Sequence, residues 1–327
     1  MTSSYHIRYL QRQEIDLLKW DACIEAAPNG MIYGKSFYLD SMTAGQWDAL
    51  VLDDYTAVMP LTWKKKFGFR YLYQPYFTPM LGMFGDPPAP GTLSAFLQAI
   101  PKKFRYWDID LNETNIILQS SAENAPSGDP HNSCLPDGIP VRTKTRPNHF
   151  LKLDLPQEEM TANYKRLARR MCKRAIDENL EIIKNSSPAE LIDLYRRQYG
   201  NRHPKITAAV YERFAACAAS ALSGGLAKTY LAKEPNGGVV AFYLVFIDKR
   251  FIYSILGGSS EDGKEKGAFY LLTDAVIKEH AESGRIFRFE GSDIPGIAFF
   301  DALFGATPVT YPHLTMNNLP FPIRLFK

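Results

Sequence analysis

Residues 257–292 hold the densest set of groups able to bind a negatively charged ligand. Gly257, Gly258, Gly263 and Gly267 punctuate a stretch that also carries Ser259, Lys264 and Lys266. From Ala268, apolar residues recur at helical spacing through Leu271, Leu272, Ala275 and Val276. A helix that starts directly after such a loop aims unpaired backbone N–H groups and the positive end of its dipole into the loop, where an anion can sit. The plainer reading is that these glycines only turn the chain. A second basic locus lies upstream: Lys165, Arg166, Arg169, Arg170, Lys173 and Arg174 fall within 161–174, which contains no acid. Arg166, Arg169, Arg170 and Lys173 share one broad helical face, and their like charges repel unless an anion or an acidic neighbour offsets them. This face is either solvated and balanced by nearby acids or a phosphate-binding surface.

Other chemistries find little support. Cys23, Cys134, Cys172 and Cys217 are scattered, with no Cys-x-x-Cys pair and no histidine at zinc spacing, so they read as reduced thiols and no metal site is expected. A serine nucleophile elbow, a Walker loop and a dinucleotide fingerprint are all missing, which weakens hydrolase, NTPase and dehydrogenase readings. The net charge of +3 on 327 residues is too small to attract polyanions in general. The first residues lack the apolar core of a secretory signal, and no apolar run is long enough to span a bilayer. A cytoplasmic location is the expectation, with surface association at a membrane left open.

The elements that position these groups form two similar series. In the second half, 239–247 and 251–256 make a hairpin across Asp248-Lys249-Arg250, followed by the loop 257–267, a helix to His280, a strand 285–290, a short helix 296–304 and a strand 309–315. In the first half, helices are expected at 12–27 and 33–42, a hairpin at 47–52 and 56–63, a strand at 69–73, a helix at 92–100 and strands at 106–111 and 142–153. The aromatic and methionine-rich loop 74–91 either packs across its domain or lines a pocket. Residues 120–140 read as an exposed loop, and 158–179 as one polar helix. The order hairpin, loop, helix, strand, irregular segment, strand occurs in 47–153 and again in 226–316, echoed by 145–150 beside 310–314. The implied domains are 1–154 and 155–327, of which only the second has a glycine loop.

The element order of the second half resembles the core of the GCN5-related acyltransferase (GNAT) superfamily. Lys264-Glu265-Lys266-Gly267-Ala268 places a basic residue and a glycine at that family's spacing, although Phe269 stands where a second small residue belongs. With Gly34-Lys35-Ser36-Phe37-Tyr38, Gln74-Pro75-Tyr76-Phe77 and Phe289-Glu290-Gly291-Ser292, the whole chain is similar to the FemAB-like tandem-domain branch, in an uncharacterised bacterial subgroup. The resemblance implies an α/β fold of two tandem GNAT-like domains, each a mixed twisted sheet flanked by helices, with two central parallel strands splaying apart. It further implies acyl or aminoacyl transfer to an amine by direct attack in a ternary complex.

Acyl-CoA is the implied cosubstrate, its phosphates held by Gly257, Gly258, Ser259, Lys264, Lys266, Gly267 and Ala268. Charged tRNA is the alternative donor, since FemAB-like relatives take amino acids from it. Arg166, Arg169, Arg170 and Lys173 would then contact the acceptor or the phosphates, and the acceptor is a small-molecule, lipid or peptide amine. No long helical hairpin is inserted, which argues against the peptidoglycan-bridge enzymes themselves. For the chemistry, Glu290 would orient or deprotonate the amine, or merely pair with Arg288 or Arg285. Ser292 would assist, and Tyr253 is either an acid or an ordinary half-buried tyrosine. His149 and His313, at equivalent repeat positions, read as turn-to-strand anchors. The competing class is a non-catalytic binding protein that retains the fold.

Overall fold

The computed structural model describes residues 6–86, 91–115, 132–134 and 140–326. The chain divides into two compact units, Met1–Arg146 with Thr310–Lys327, and Pro147–Val309.

In the first unit, β1 (Ile7–Leu10), β2 (Trp47–Leu52), β3 (Ala57–Lys66) and β4 (Phe69–Tyr73) pair antiparallel in that order, with β5 (Phe84–Gly85) also on β3. β6 (Phe104–Asp110) lies parallel to β4, and its other side pairs antiparallel with β14 (Thr307–Asn317). Helices α1 (Leu17–Ala26), α2 (Ser36–Thr43) and α3 (Thr92–Gln98) accompany the sheet. Asp16 caps α1 by accepting from the N–H groups of Leu18 and Lys19. Leu50, Met59, Leu61, Leu72, Phe96 and Trp107 form the core. Within 74–86 the loop expected at 74–91 packs: Met80, Met83 and Phe84 are buried, and Asn115 and Asn112 hold its backbone through Met83 N–H (2.7 Å) and Leu81 C=O (3.0 Å); residues 87–90 lie outside the described residues.

In the second unit the order is β9 (Glu181–Lys184), β10 (Ala227–Lys233), β11 (Val239–Ile247), β12 (Phe251–Ser259), β13 (Arg285–Arg288) and β8 (Pro140–Leu153). Only β12 and β13 are parallel. β7 (Asn132–Cys134) pairs with the start of β8, and both of these stretches belong to the first unit. The unbroken apolar run of β11 is explained by burial on both faces. Tyr243, Val245 and Ile247 join the core with Leu272 and Val276 of α9 (Ala268–Glu279), while Phe246 meets Phe214 of α7 (Ala208–Ser223).

Several expectations are corrected. The boundary at 154/155 gives way to an exchange of strands. The end of β8, which closes the first repeat, pairs with β13 (Leu151 opposite Phe287), whereas β14, which closes the second, pairs with β6 (Leu314 opposite Ile109). Thr310–Lys327 belongs to the first unit, where His313–Asn317 pairs with β6. The helix expected over 158–179 is two, α4 (Gln157–Ala162) and α5 (Arg166–Asp177), because Lys165 N–H donates to Leu303 C=O (2.8 Å) instead of continuing the helical ladder. α6 (Pro188–Tyr199) and α7 occupy a stretch to which the sequence reading assigns nothing. The loop expected over 257–267 is the end of β12, the short α8 (Glu261–Glu265) and a turn at Gly267. The loop reading of 120–140 lies outside the described residues except at 132–134 and 140.

Candidate active site

β12 and β13 run side by side through three residue pairs, Phe251↔Ile286, Ile252↔Phe287 and Tyr253↔Arg288. Beyond them β12 follows β11 to Ser259, with an irregular step at Leu244/Val245. β13 ends at Arg288, and Glu290 (φ 54°) and Gly291 (φ 74°) turn the chain away. The two parallel strands therefore diverge at their C-terminal ends. Left-handed backbone at Glu290 is uncommon for a residue that carries a Cβ, and such strain concentrates at functional sites.

A closed set of buried polar groups gathers at this divergence. Asn148, on β8, donates from Nδ2 to Glu290 Oε2 (2.8 Å), and its Oδ1 accepts from Glu290 N–H (3.0 Å) and His149 N–H (2.8 Å). Glu290 Oε1 accepts from Arg288 Nε at 3.2 Å. Arg288 is fully buried, its guanidinium 4.4 Å from the ring centre of Phe150 and 5.1 Å from that of Phe251. Ser292 Oγ lies 2.8 Å from Asp301 Oδ2, on α10 (Pro295–Leu303), and 3.4 Å from Asn148 Oδ1. Burial pushes the Asp301 carboxyl up to about 7; the Ser292 hydrogen bond opposes this and the nearby Glu290 charge adds to it. Burial also lowers the pKa of His149. Its Nδ1 is 3.9 Å from Asp301 Oδ2 and has no hydrogen-bond partner among the described residues. A carboxylate, a hydroxyl and a carboxyl that titrates near neutrality thus lie in one chain of contacts, which can accept and return a proton.

Of the residues singled out in the sequence, Glu290 and Ser292 come together. Tyr253 does not join them: it is fully buried and its hydroxyl donates to Asp248. The glycine segment is closely packed. Gly257 and Gly258 lie within β12, where a Cβ would stand 2.5 Å from Phe269 and 2.5 Å from Tyr199 respectively, and Ser259 Oγ donates to Val240 C=O (3.1 Å). Gly267 (φ 76°) is packed so that a Cβ would lie 2.3 Å from Met171 C=O, and Ala268 is fully buried. Lys264 pairs with Glu261 at 2.5 Å, and Lys266 pairs with Glu234 and Asp262. These glycines make room for close packing, and these lysines face carboxylates.

The α5 cations differ. Arg166, Arg169, Arg170 and Lys173 are all exposed, and Arg169 donates to Ala162 C=O (3.1 Å). Asn148 and Asp301 escaped the sequence reading. An aspartate inside the apolar run Ile297-Ala298-Phe299-Phe300-Asp301-Ala302-Leu303 was the available signal for the second.

Residues 160–292 match the family model described as acetyltransferase (GNAT) domain. The matched residues lie within the second unit. Solved structures of similar fold include FemX, at 13% identity and a TM-score of 0.67, covering 98% of this chain and 99% of that one. A conserved protein of unknown function from Bacteroides thetaiotaomicron VPI-5482 is 12% identical with a TM-score of 0.59, covering 96% and 100%. L-PGS from Bacillus licheniformis is 12% identical with a TM-score of 0.52, covering 95% of each chain. At such identities the likeness establishes the fold. No curated protein sequence matches the chain.

Proposed function

We propose that this protein transfers an acyl or aminoacyl group to an amine by direct attack, with both substrates bound together. The observation that carries the reading is the meeting of Glu290, Ser292 and Asp301 where β12 and β13 part. In this reaction the amine nitrogen attacks the donor carbonyl carbon while Glu290 takes the amine proton. Collapse of the tetrahedral intermediate forms the amide and breaks the bond to the leaving oxygen or sulfur. Asp301, through the Ser292 hydroxyl, supplies the proton to that leaving atom. Gly291 and Asp293, both exposed, flank the approach, and Ile294 and Ile297 give it an apolar lip.

A phosphodiester polyanion such as charged tRNA suits the α5 cations better than acyl-CoA. The exposed cations lie on α5, whereas the lysines beside Gly267 serve Glu234, Glu261 and Asp262. The reading predicts that tRNA labelled in its aminoacyl group loses label to an amine panel, and that Arg166→Glu, Arg169→Glu and Arg170→Glu together sharply lower kcat/KM for that donor. Consumption of acetyl-CoA, unaffected by the triple change, would overturn the donor assignment and keep the transfer. Turnover of neither donor would leave a ligand-binding protein, the reading favoured by the closed hydrogen bonding and burial of Glu290.

A further inference from the structure

The turn between β3 and β4 has an unexpected residue at its tip. Phe67 (φ 51°) and Gly68 (φ 82°) form a two-residue hairpin loop with left-handed backbone at both positions, a geometry for which asparagine or aspartate before glycine is the usual choice. A phenylalanine there is strained, and its ring is 71% exposed, with Lys66 Nζ 5.2 Å from its centre. Residues 55–85 carry Lys64, Lys65, Lys66 and Arg70 and no Asp or Glu. Lys102, Lys103 and Arg105, all exposed, stand at the head of β6, whose Phe104 is opposite Arg70 of β4. Several of these cations lie along rings, Arg70 over Trp63 at 4.4 Å and Arg105 over Phe69 at 5.6 Å. Beside the tip, Phe67, Phe69, Tyr106, Leu319 and Ile323 line an open cleft of about 360 Å³, within the size range of pockets for small apolar ligands. Phe321, on the same C-terminal segment as Leu319 and Ile323, is 81% exposed.

Exposed aromatic rings ringed by cations, on a segment free of acids, match the interface of a bilayer that contains anionic lipid. The rings enter the acyl boundary while the lysine and arginine heads remain among the phosphates. We propose that the Lys64–Arg70 hairpin tip and Phe321 dock the first unit on an anionic membrane surface, with one lipid acyl chain entering the cleft. The charge of the strip decides for lipid over a second copy of this chain, whose matching surface would carry the same sign. The proposal is independent of the acyl-transfer reading, because it concerns residues of the first unit only.

Co-sedimentation with mixed phosphatidylglycerol–phosphatidylcholine vesicles and with pure phosphatidylcholine vesicles tests it. Binding is expected on the mixed vesicles and to weaken with added salt. Lys65→Gln with Lys66→Gln lowers partitioning about 25-fold, at roughly fivefold per cation near the surface. Phe67→Asn separates docking from folding: asparagine suits the turn, so the variant keeps or raises Tm while losing vesicle binding. In Phe67→Trp, brominated acyl chains quench the new indole. Equal binding to both vesicle types, or none to either, would overturn the proposal. So would a Phe67→Asn variant that melts lower yet binds as before, or a concentration-dependent dimer in the absence of lipid that Phe67→Asn abolishes.

Discussion

Asn148 and Glu290 stand 142 residues apart in the chain and are joined by two hydrogen bonds, one to the side chain and one to the backbone N–H of the glutamate. The amide of Asn148 therefore fixes both the carboxylate and the left-handed turn that presents it. Replacing Asn148 by Leu removes both partners from a buried site. The expected cost is about 3 kcal/mol, measured by urea unfolding, together with faster exchange of the Glu290 amide hydrogen. A cost below about 1 kcal/mol would show that the turn is held by something else.

Glu290→Gln keeps the shape of the side chain and removes its basicity. Transfer rate is expected to fall by about 10²–10⁴, and the acidic limb of the pH–rate profile to vanish. Because Arg288 loses its charged partner, stability falls as well, by roughly 3 kcal/mol. Rates are therefore compared at a temperature where circular dichroism shows both proteins folded. An unchanged rate with an unchanged profile would remove Glu290 from the chemistry.

Asp301 offers a pH test with a definite sign. Its folded pKa of about 7 stands above the ordinary value of 3.8, so the folded protein holds this proton more tightly than the unfolded chain does. That contribution to stability is complete below about pH 4 and is lost as pH rises toward 7. Asp301→Asn abolishes this term. Relative to wild type, the variant gains stability from pH 4 to 8, by a few kcal/mol at about 1.4 kcal/mol per pH unit of displacement. A stability difference that stays flat with pH would mean that the carboxyl is ionised throughout.

Gly267 and Lys264 should separate packing from ligand binding. Gly267→Ala introduces a Cβ 2.3 Å from Met171 C=O at a φ of 76°, with an expected loss of about 3 kcal/mol in thermal or urea unfolding. Lys264→Ala removes only an exposed pair with Glu261 and should change stability by no more than about 0.5 kcal/mol, and donor KM not at all. A rise in donor KM on Lys264→Ala would restore the phosphate role expected from the sequence.

The sequence was most readable where local physics and global packing agree. The apolar run of β11 and the helical spacing from Ala268 to Val276 placed the hairpin and the helix correctly, because burial imposes its own period on both. Glu290 and Ser292 were legible as polar groups at the end of a strand. Asn148 was not, since its partnership with Glu290 is set by the register of β8 against β13 and leaves no trace in nearby residues. Gly257 and Gly258 misled because a glycine that admits Phe269 or Tyr199 looks the same in sequence as one that turns a loop. The basic face of α5 was visible from spacing alone, whereas the acids that occupy Lys266 come from as far away as Glu234.

The exchange of closing strands has a bearing on how this chain is made. Until residue 317 has left the ribosome, the sheet built by the N-terminal repeat lacks a strand beside β6, and Leu314 and Met316 are missing from its core. Synthesis from one end therefore cannot complete one repeat and then the other. A deletion of the last strand would be felt first in residues translated more than two hundred positions earlier, and a gene fragment encoding either repeat alone would yield a sheet with an open edge.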